Sequence, residues 1–170
     1  AEALAAGRVA FDLDGASFPE AVERLLAGEL ADRPALMRRV AADLARTAEE
    51  ASSEPAPGVV FTAHVTEEIR EPLLFLGIAG EGIPVPGASA PARLLFLLLL
   101  PPRCAHERLR YLSEVARLVR TEERREQLCR CRTPDTLFDW FRPDPAPGAP
   151  EEAEPPRTPD EAAGVEPAPV

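Results

Sequence analysis

The apolar positions of this chain form short runs and helical stripes. The densest run is Leu94-Leu95-Phe96-Leu97-Leu98-Leu99-Leu100, closed by Pro101-Pro102. Seven consecutive apolar residues are too few to span a bilayer, which takes about 20. The length suits a strand buried on both faces, in a sheet covered by helices. The other elements are therefore expected to pack around it. Before it, Arg8 to Leu13 reads as a short strand and Asp14-Gly15 as a turn. Ser17-Phe18-Pro19-Glu20 has the form of a helix start: a capping serine, a proline in the first turn and a glutamate completing a capping box. Val22, Leu25, Leu26 and Leu30 follow at helical spacing. Pro34 opens a second helix with Leu36, Met37, Val40 and Leu44 on one face, and Thr47 to Pro57 reads as a polar loop.

Val59 to Val65 is the next strand. Alternation places Val59, Phe61, Ala63 and Val65 on one face and Val60, Thr62 and His64 on the other. A charged connection, Glu67 to Pro72, leads to a strand over Leu73 to Ala79. Gly80 to Pro91 is turn-rich. After the long apolar run, Glu107 to Arg120 predicts a helix with Leu109, Leu112, Ala116 and Val119 as its buried stripe. A further helical segment spans Glu122 to Cys129. Thr133-Pro134 starts a last short helix, with Leu137, Phe138 and Phe141 inward and Trp140 near its edge. The predicted order is β-α-α-β-β-β-α-α, with the strands at 59–65 and 73–79 pairing directly. The fold class is α/β, a mixed-sheet sandwich with helices packed on a central sheet. Residues 1–142 form one domain. The Pro-, Ala- and Glu-rich residues 143–170 lack the apolar surface needed to offset ordering and are expected to be a disordered tail.

Charge and cysteine content narrow the function classes. The chain of 170 residues carries a net charge of −10. Much of the acid lies in the tail, where Asp144, Glu151, Glu152, Glu154, Asp160, Glu161 and Glu166 face one Arg157. This balance argues against nucleic acid and against anionic lipid as partners. No run is long enough for lipid insertion. Cys104, Cys129 and Cys131 have no disulfide-framework spacing and fit a reducing compartment. With two distant histidines they also lack zinc-site spacing, so neither metal nor cofactor is expected. The Gly80–Gly82–Gly87 loop lacks the strand-loop-helix order of a phosphate cradle. Ser52-Ser53 reads as plain loop. The arginines between Glu107 and Arg132 read as a solvated helix face, with Glu122 and Glu126 pairing to Arg120 and Arg130.

Several stretches together carry a family resemblance. They are Glu71-Pro72-Leu73-Leu74-Phe75-Leu76-Gly77 with Gly82-Ile83; Pro91 to Pro102, continuing to His106; and Leu112 to Leu118, then Leu128 and Thr133-Pro134-Asp135. Gly7 to Asp14 followed by Ser17 adds to them. From about Arg8 to Arg142 the chain resembles the enzyme IIA domain of the mannitol/fructose branch of the bacterial sugar phosphotransferase system. It is also similar to the cytoplasmic domain of band 3-type anion exchangers and bicarbonate transporters. The resemblance to enzyme IIA implies a histidine, phosphorylated in active members, that follows a glycine-rich turn, a short apolar strand and a proline. Here Gly58 to His64 occupies that place without the proline. An ungapped count from Pro72 puts Ala63 at the acceptor position, and a one-residue slip turns a strand side chain to the other face. Glu50 to Pro55 replaces the Ser-Thr-Gly turn of active members. His106 matches a second histidine often found in them.

A phosphoryl-accepting histidine needs an unprotonated ring nitrogen, with donors or cations around the phosphoryl oxygens. His64 and His106 are expected near each other, with Arg70 and Arg103 as phosphoryl- or anion-contacting candidates and a helix start beside His106. Glu67-Glu68 would repel the group. These departures favour a non-catalytic cytoplasmic regulatory or interaction domain of a membrane transporter, related to anion or bicarbonate exchangers. Its expected partners are a transporter domain in the same or another chain, a second copy in a homodimer, or cytosolic proteins. The alternative is a phosphoryl carrier in which His64 is the acceptor and His106 its assistant.

Overall fold

A computed structural model describes residues 8–141, with side-chain surroundings through Leu137. In chain order its elements are β1 (Val9–Ala10), α1 (Phe18–Leu30), α2 (Pro34–Ala51), β2 (Ser52–Ala56), β3 (Val59–Val65), β4 (Leu73–Ile83) and β5 (Ala92–Leu100). A 3-10 segment (Pro102–Glu107) then leads to α3 (Arg108–Leu118), α4 (Glu122–Arg130) and α5 (Pro134–Phe141). The sheet order is β1-β4-β5-β3-β2. β5 pairs antiparallel with β4 and parallel with β3, β1 lies parallel outside β4, and β2 antiparallel outside β3. The expected mixed-sheet α/β sandwich is the fold observed, with α1 and α2 on one face and α3 to α5 on the other.

β5 organises both layers. Leu95, Leu97 and Leu99 join the core under α1 and α2, whereas Leu94, Phe96, Leu98 and Leu100 join the core under α3 to α5. None of the seven is more than 1% exposed. Full burial of each such side chain contributes about 1.5–3 kcal/mol. A strand with no polar face has only one satisfactory place, the middle of the sheet. That corrects the expected direct pairing of the strands at 59–65 and 73–79: β5 lies between them, in register with Val59–Val65 on one side and with Leu73–Ile78 on the other.

Other differences follow from position in the sheet. The segment expected to be a loop before Pro57 contains the end of α2 and the edge strand β2. Ser52 pairs with Thr62, Ser53 with Phe61 and Ala56 with Val59, and the register shifts between Ser53 and Ala56. An edge strand needs no apolar face and tolerates Pro55, so no hydrophobic alternation marks it. β4 continues to Ile83, beyond the expected end at Ala79. β1 is shorter than Arg8–Leu13 because Asp12, at φ 56°, turns the chain. The Leu13 N–H still donates to the Ile78 carbonyl at 3.2 Å.

The capping box at α1 forms, with the Ser17 N–H and Oγ each donating to the Glu20 carboxylate at 2.8 Å. α2 begins at Pro34 and buries Leu36, Val40, Ala41, Leu44 and Ala48. The stripe of α3 differs from expectation in part: Val119 is buried and Leu112 packs partly against the core, as expected, but Tyr111 and Val115 are the buried positions of the helix itself. Leu109 is 71% exposed. Positions 111, 115 and 119 satisfy helical spacing as well as the expected set does, so the spacing alone does not choose between the two faces. Leu137 is buried on α5 as expected. Phe138, Trp140 and Phe141, as side chains, and residues 143–170 lie outside the described residues.

Candidate functional site: the C-terminal edge of two parallel strands

β3 and β5 run parallel, so their C-terminal ends reach the same edge of the sheet. His64 lies in register with Leu99, and Val65 with Leu100. The connection to β4 leaves from this edge, where the Thr66 N–H donates to the Leu100 carbonyl at 2.9 Å. The 3-10 segment carrying Arg103 and His106 leaves β5 at the same edge. Arg103 donates through its guanidinium to the carbonyl of Arg70 and so ties the two connections together. The four expected site residues therefore gather at one end of the sheet.

Strand alternation divides them. Val60 belongs to the core under α1 and α2, and Val59, Phe61 and Ala63 to the core under α3 to α5. His64 shares the face of Val60 and Thr62. Cys104, in the segment that carries His106, packs on the α3 side, as Ala63 does. No hydrogen bond joins His64 and His106 among the described residues.

The half-buried His64 ring is held below the usual histidine range. Burial is the main cause, Asp43 opposes it, and Arg39 adds to it. These two residues belong to α2 at helical (i, i+4) spacing, whereas the Arg103 guanidinium is engaged by the Arg70 carbonyl. At neutral pH the ring is uncharged and carries one unprotonated nitrogen, the form a nucleophile requires.

The charge balance beside it also departs from expectation. Glu68, expected to repel an anion, is neutralised by two arginines of the α2 region. Arg33 donates to the Glu68 carbonyl at 2.7 Å and to its carboxylate at 3.1 Å. Arg39 forms a second ion pair with the same carboxylate. Nothing in the linear pattern signals this cluster, because Arg33 and Arg39 precede Glu68 by a helix and two strands.

The opposite end of β3 and β5 has a cavity of about 140 Å³ lined in part by Gly58, Arg93, Glu126 and Cys129. Arg93 donates to Glu126 and, at 3.1 Å, to the Gly80 carbonyl. Glu126 thus pairs across the fold with Arg93. Burial raises the Cys129 and Cys131 thiols above their usual range, so both stay protonated. The glycine loop has its own anion: the Asp14 carboxylate accepts from the Gly80 N–H at 3.0 Å and the Glu81 N–H at 2.7 Å. Among the described residues no group of three or more His, Cys, Asp or Glu could hold a metal ion. No described helix is long and apolar enough to cross a membrane.

These features define an α/β sandwich with a neutral histidine at the end of a central parallel strand pair. The profile of the family described as "Phosphoenolpyruvate-dependent sugar phosphotransferase system, EIIA 2" matches residues 2–142, and the chain belongs to this family. Among solved structures it is similar to the nitrogen regulatory protein IIA-Ntr from Neisseria meningitidis. That match has a TM-score of 0.67 and 18% identity, over 82% of this chain and 97% of the other. It is also similar to the mannitol-specific cryptic phosphotransferase enzyme IIA CmtB from Escherichia coli. There the TM-score is 0.61 and the identity 18%, over 82% and 95% of the two chains. At this identity the structural likeness shows the fold. No curated protein matches by sequence.

The family match corrects the functional expectation. The preferred reading, a non-catalytic transporter-regulatory domain of anion-exchanger kind, is overturned by a phosphotransferase-system profile covering the whole described domain. The likeness to band 3-type domains, and with it anion exchange and bicarbonate transport, is not shown by these matches.

Proposed function

We propose that this chain is a phosphoryl carrier of the EIIA type and that His64 is its acceptor. The observation that carries this reading is the neutral, half-buried His64 at the C-terminal end of β3, in a domain of this family. The unprotonated ring nitrogen attacks the phosphorus of a phosphorylated carrier protein. The new N–P bond forms as the donor's bond to phosphorus breaks, and the bonding pair leaves with the donor. The attacking nitrogen bears no proton, so no separate base is needed. Transfer to a sugar-permease domain reverses these roles.

Ala63 occupies the family's acceptor place in an ungapped count, and its methyl group cannot take a phosphoryl group. On this reading the acceptor has moved one residue along β3 and therefore to the α2 side of the sheet. The test is incubation with a phosphoenolpyruvate-driven donor system, followed by intact-mass measurement and peptide mapping. One acid-labile phosphoryl group on His64, absent from His64→Ala, is expected. No transfer, or transfer mapped to His106, overturns the assignment.

A further inference from the structure

The cavity at the N-terminal ends of β3 and β5 takes no part in the chemistry at His64. Its volume of about 140 Å³ is close to the roughly 150 Å³ that accommodates a benzene-sized molecule in a protein interior. Val59 and Leu94, register partners on the two strands, give it apolar surface. The ion pair of Arg93 and Glu126 forms another part of its wall. Both members are engaged: Arg93 Nε donates to the Gly80 carbonyl at 3.1 Å, and its two terminal nitrogens donate to the Glu126 carboxylate. The other charges of the lining are Glu122 and Arg125, in the first turn of α4. At (i, i+3) spacing they share a helix face. Elsewhere the same arrangement, acid first, closes into an ion pair: Asp43 with Arg46 at 2.7 Å, and Glu107 with Arg110 at 3.4 Å. Here it stays open. Arg125 turns to the Val119 carbonyl at 3.0 Å, and the Glu122 carboxylate has no hydrogen-bond or ion-pair partner among the described residues.

We propose that this cavity binds a small α-amino acid, held as a zwitterion between Arg125 and Glu122. The ligand carboxylate accepts from the guanidinium N–H groups of Arg125 that the Val119 carbonyl leaves free, and the ligand ammonium donates to the Glu122 carboxylate. Both are charge-assisted bonds. A small aliphatic side chain lies on Val59 and Leu94. Charge balance selects this class of ligand. The two arginines and two glutamates leave the lining neutral, so a simple anion or a simple amine satisfies one open group and leaves the opposite one unmatched. A ligand that carries both charges on adjacent groups matches both. Glu122 is exposed, so its bond is screened by solvent, and the expected Kd is on the order of 1 mM. Occupancy ties the first turn of α4 to the starts of β3 and β5. The site lies at the opposite end of these strands from His64, needs no phosphoryl transfer, and stands independently of the carrier reading.

The test titrates the isotopically labelled full chain with L-valine at neutral pH and follows backbone amide shifts by NMR. Saturable shifts are expected at Gly58, Leu94 and Arg125, with Val65 and Thr66 at the far end of the strands unmoved. Two analogues each carry half of the zwitterion. α-Hydroxyisovalerate keeps the carboxylate and replaces the ammonium by a hydroxyl; isobutylamine keeps the amine alone. Each should bind at least about tenfold more weakly than valine. Glu122→Gln, at an exposed position, should weaken valine binding by a similar factor. Glu123→Gln makes the same charge change one residue further on, outside the lining, and should bind valine as the wild type does. The proposal is overturned if L-valine gives no saturable shift, if either half-analogue binds as tightly as valine, if Glu122→Gln binds valine unchanged, or if Glu123→Gln weakens binding equally.

Discussion

Gly77→Ala measures how tightly α1 is seated on the sheet. Gly77 lies in β4, opposite Ala10 of β1 and Leu95 of β5. A Cβ placed there would meet Leu13 Cδ1 at 2.5 Å and both Leu25 methyls at 3.4 Å. Carbon atoms pack best at about 3.5–4.0 Å, so Leu13 must retreat by about 1 Å or more. It has little room, because Leu13 is 1% exposed and Leu25 2%. Overpacking of this kind costs about 1–3 kcal/mol. Removing glycine's freedom in the unfolded chain returns about 0.4–1 kcal/mol, since Gly77 is not among the positive-φ glycines. The net expectation is a destabilisation of about 1–2 kcal/mol. Leu13→Ala alone should cost about 2–5 kcal/mol through the cavity it leaves. In the double variant the methyl group added at position 77 enters that space, so adding Gly77→Ala to Leu13→Ala should be neutral or stabilising. Urea unfolding of the four proteins, with slopes compared to exclude changes in the unfolded state, gives the coupling. The reasoning fails if Gly77→Ala costs nothing, or costs the same in both backgrounds.

Three further outcomes follow from the same structure. Because the His64 pKa is lowered by folding, the unfolded chain binds more protons below its value near 6.5. Wild-type stability should therefore fall as the pH drops below that value toward the folded pKa, and His64→Gln should remove this part of the pH dependence in denaturant titrations. Phe96→Ala, at a fully buried position of the central strand, should cost about 3–5 kcal/mol by urea unfolding; a loss under about 1 kcal/mol would contradict the central placement of β5. Glu54 accepts from the Ser89 N–H at 3.0 Å and from the Ser89 hydroxyl at 2.8 and 2.7 Å. Glu54→Gln should speed hydrogen exchange at the Ser89 amide while leaving β5 protected, and unchanged exchange would show that this contact does not hold the loop.

Local chemistry determined much of the fold from the sequence alone. Seven apolar residues with no polar face required a central strand. Ser17 and Glu20 required a helix start, and period-two alternation placed His64 and Ala63 on opposite faces of β3. The residues shared with enzyme IIA domains pointed to the family that the profile match establishes, although the departures at Ala63 and before His64 drew the functional expectation toward a non-catalytic domain. What only the tertiary structure decided depends on partners distant in the chain. β2 is an edge strand, and edge strands carry no apolar alternation. The placement of β5 between β3 and β4 is a long-range pairing that no local pattern encodes. Which of two helically spaced faces α3 buries is decided by its packing against the sheet. The charges that bear on His64, Asp43 and Arg39, come from α2, while the expected candidate Arg103 is tied to the backbone of Arg70. Side-chain chemistry is written locally, but a charge finds its partner through space, and the sheet brings Arg33 and Arg39 to Glu68.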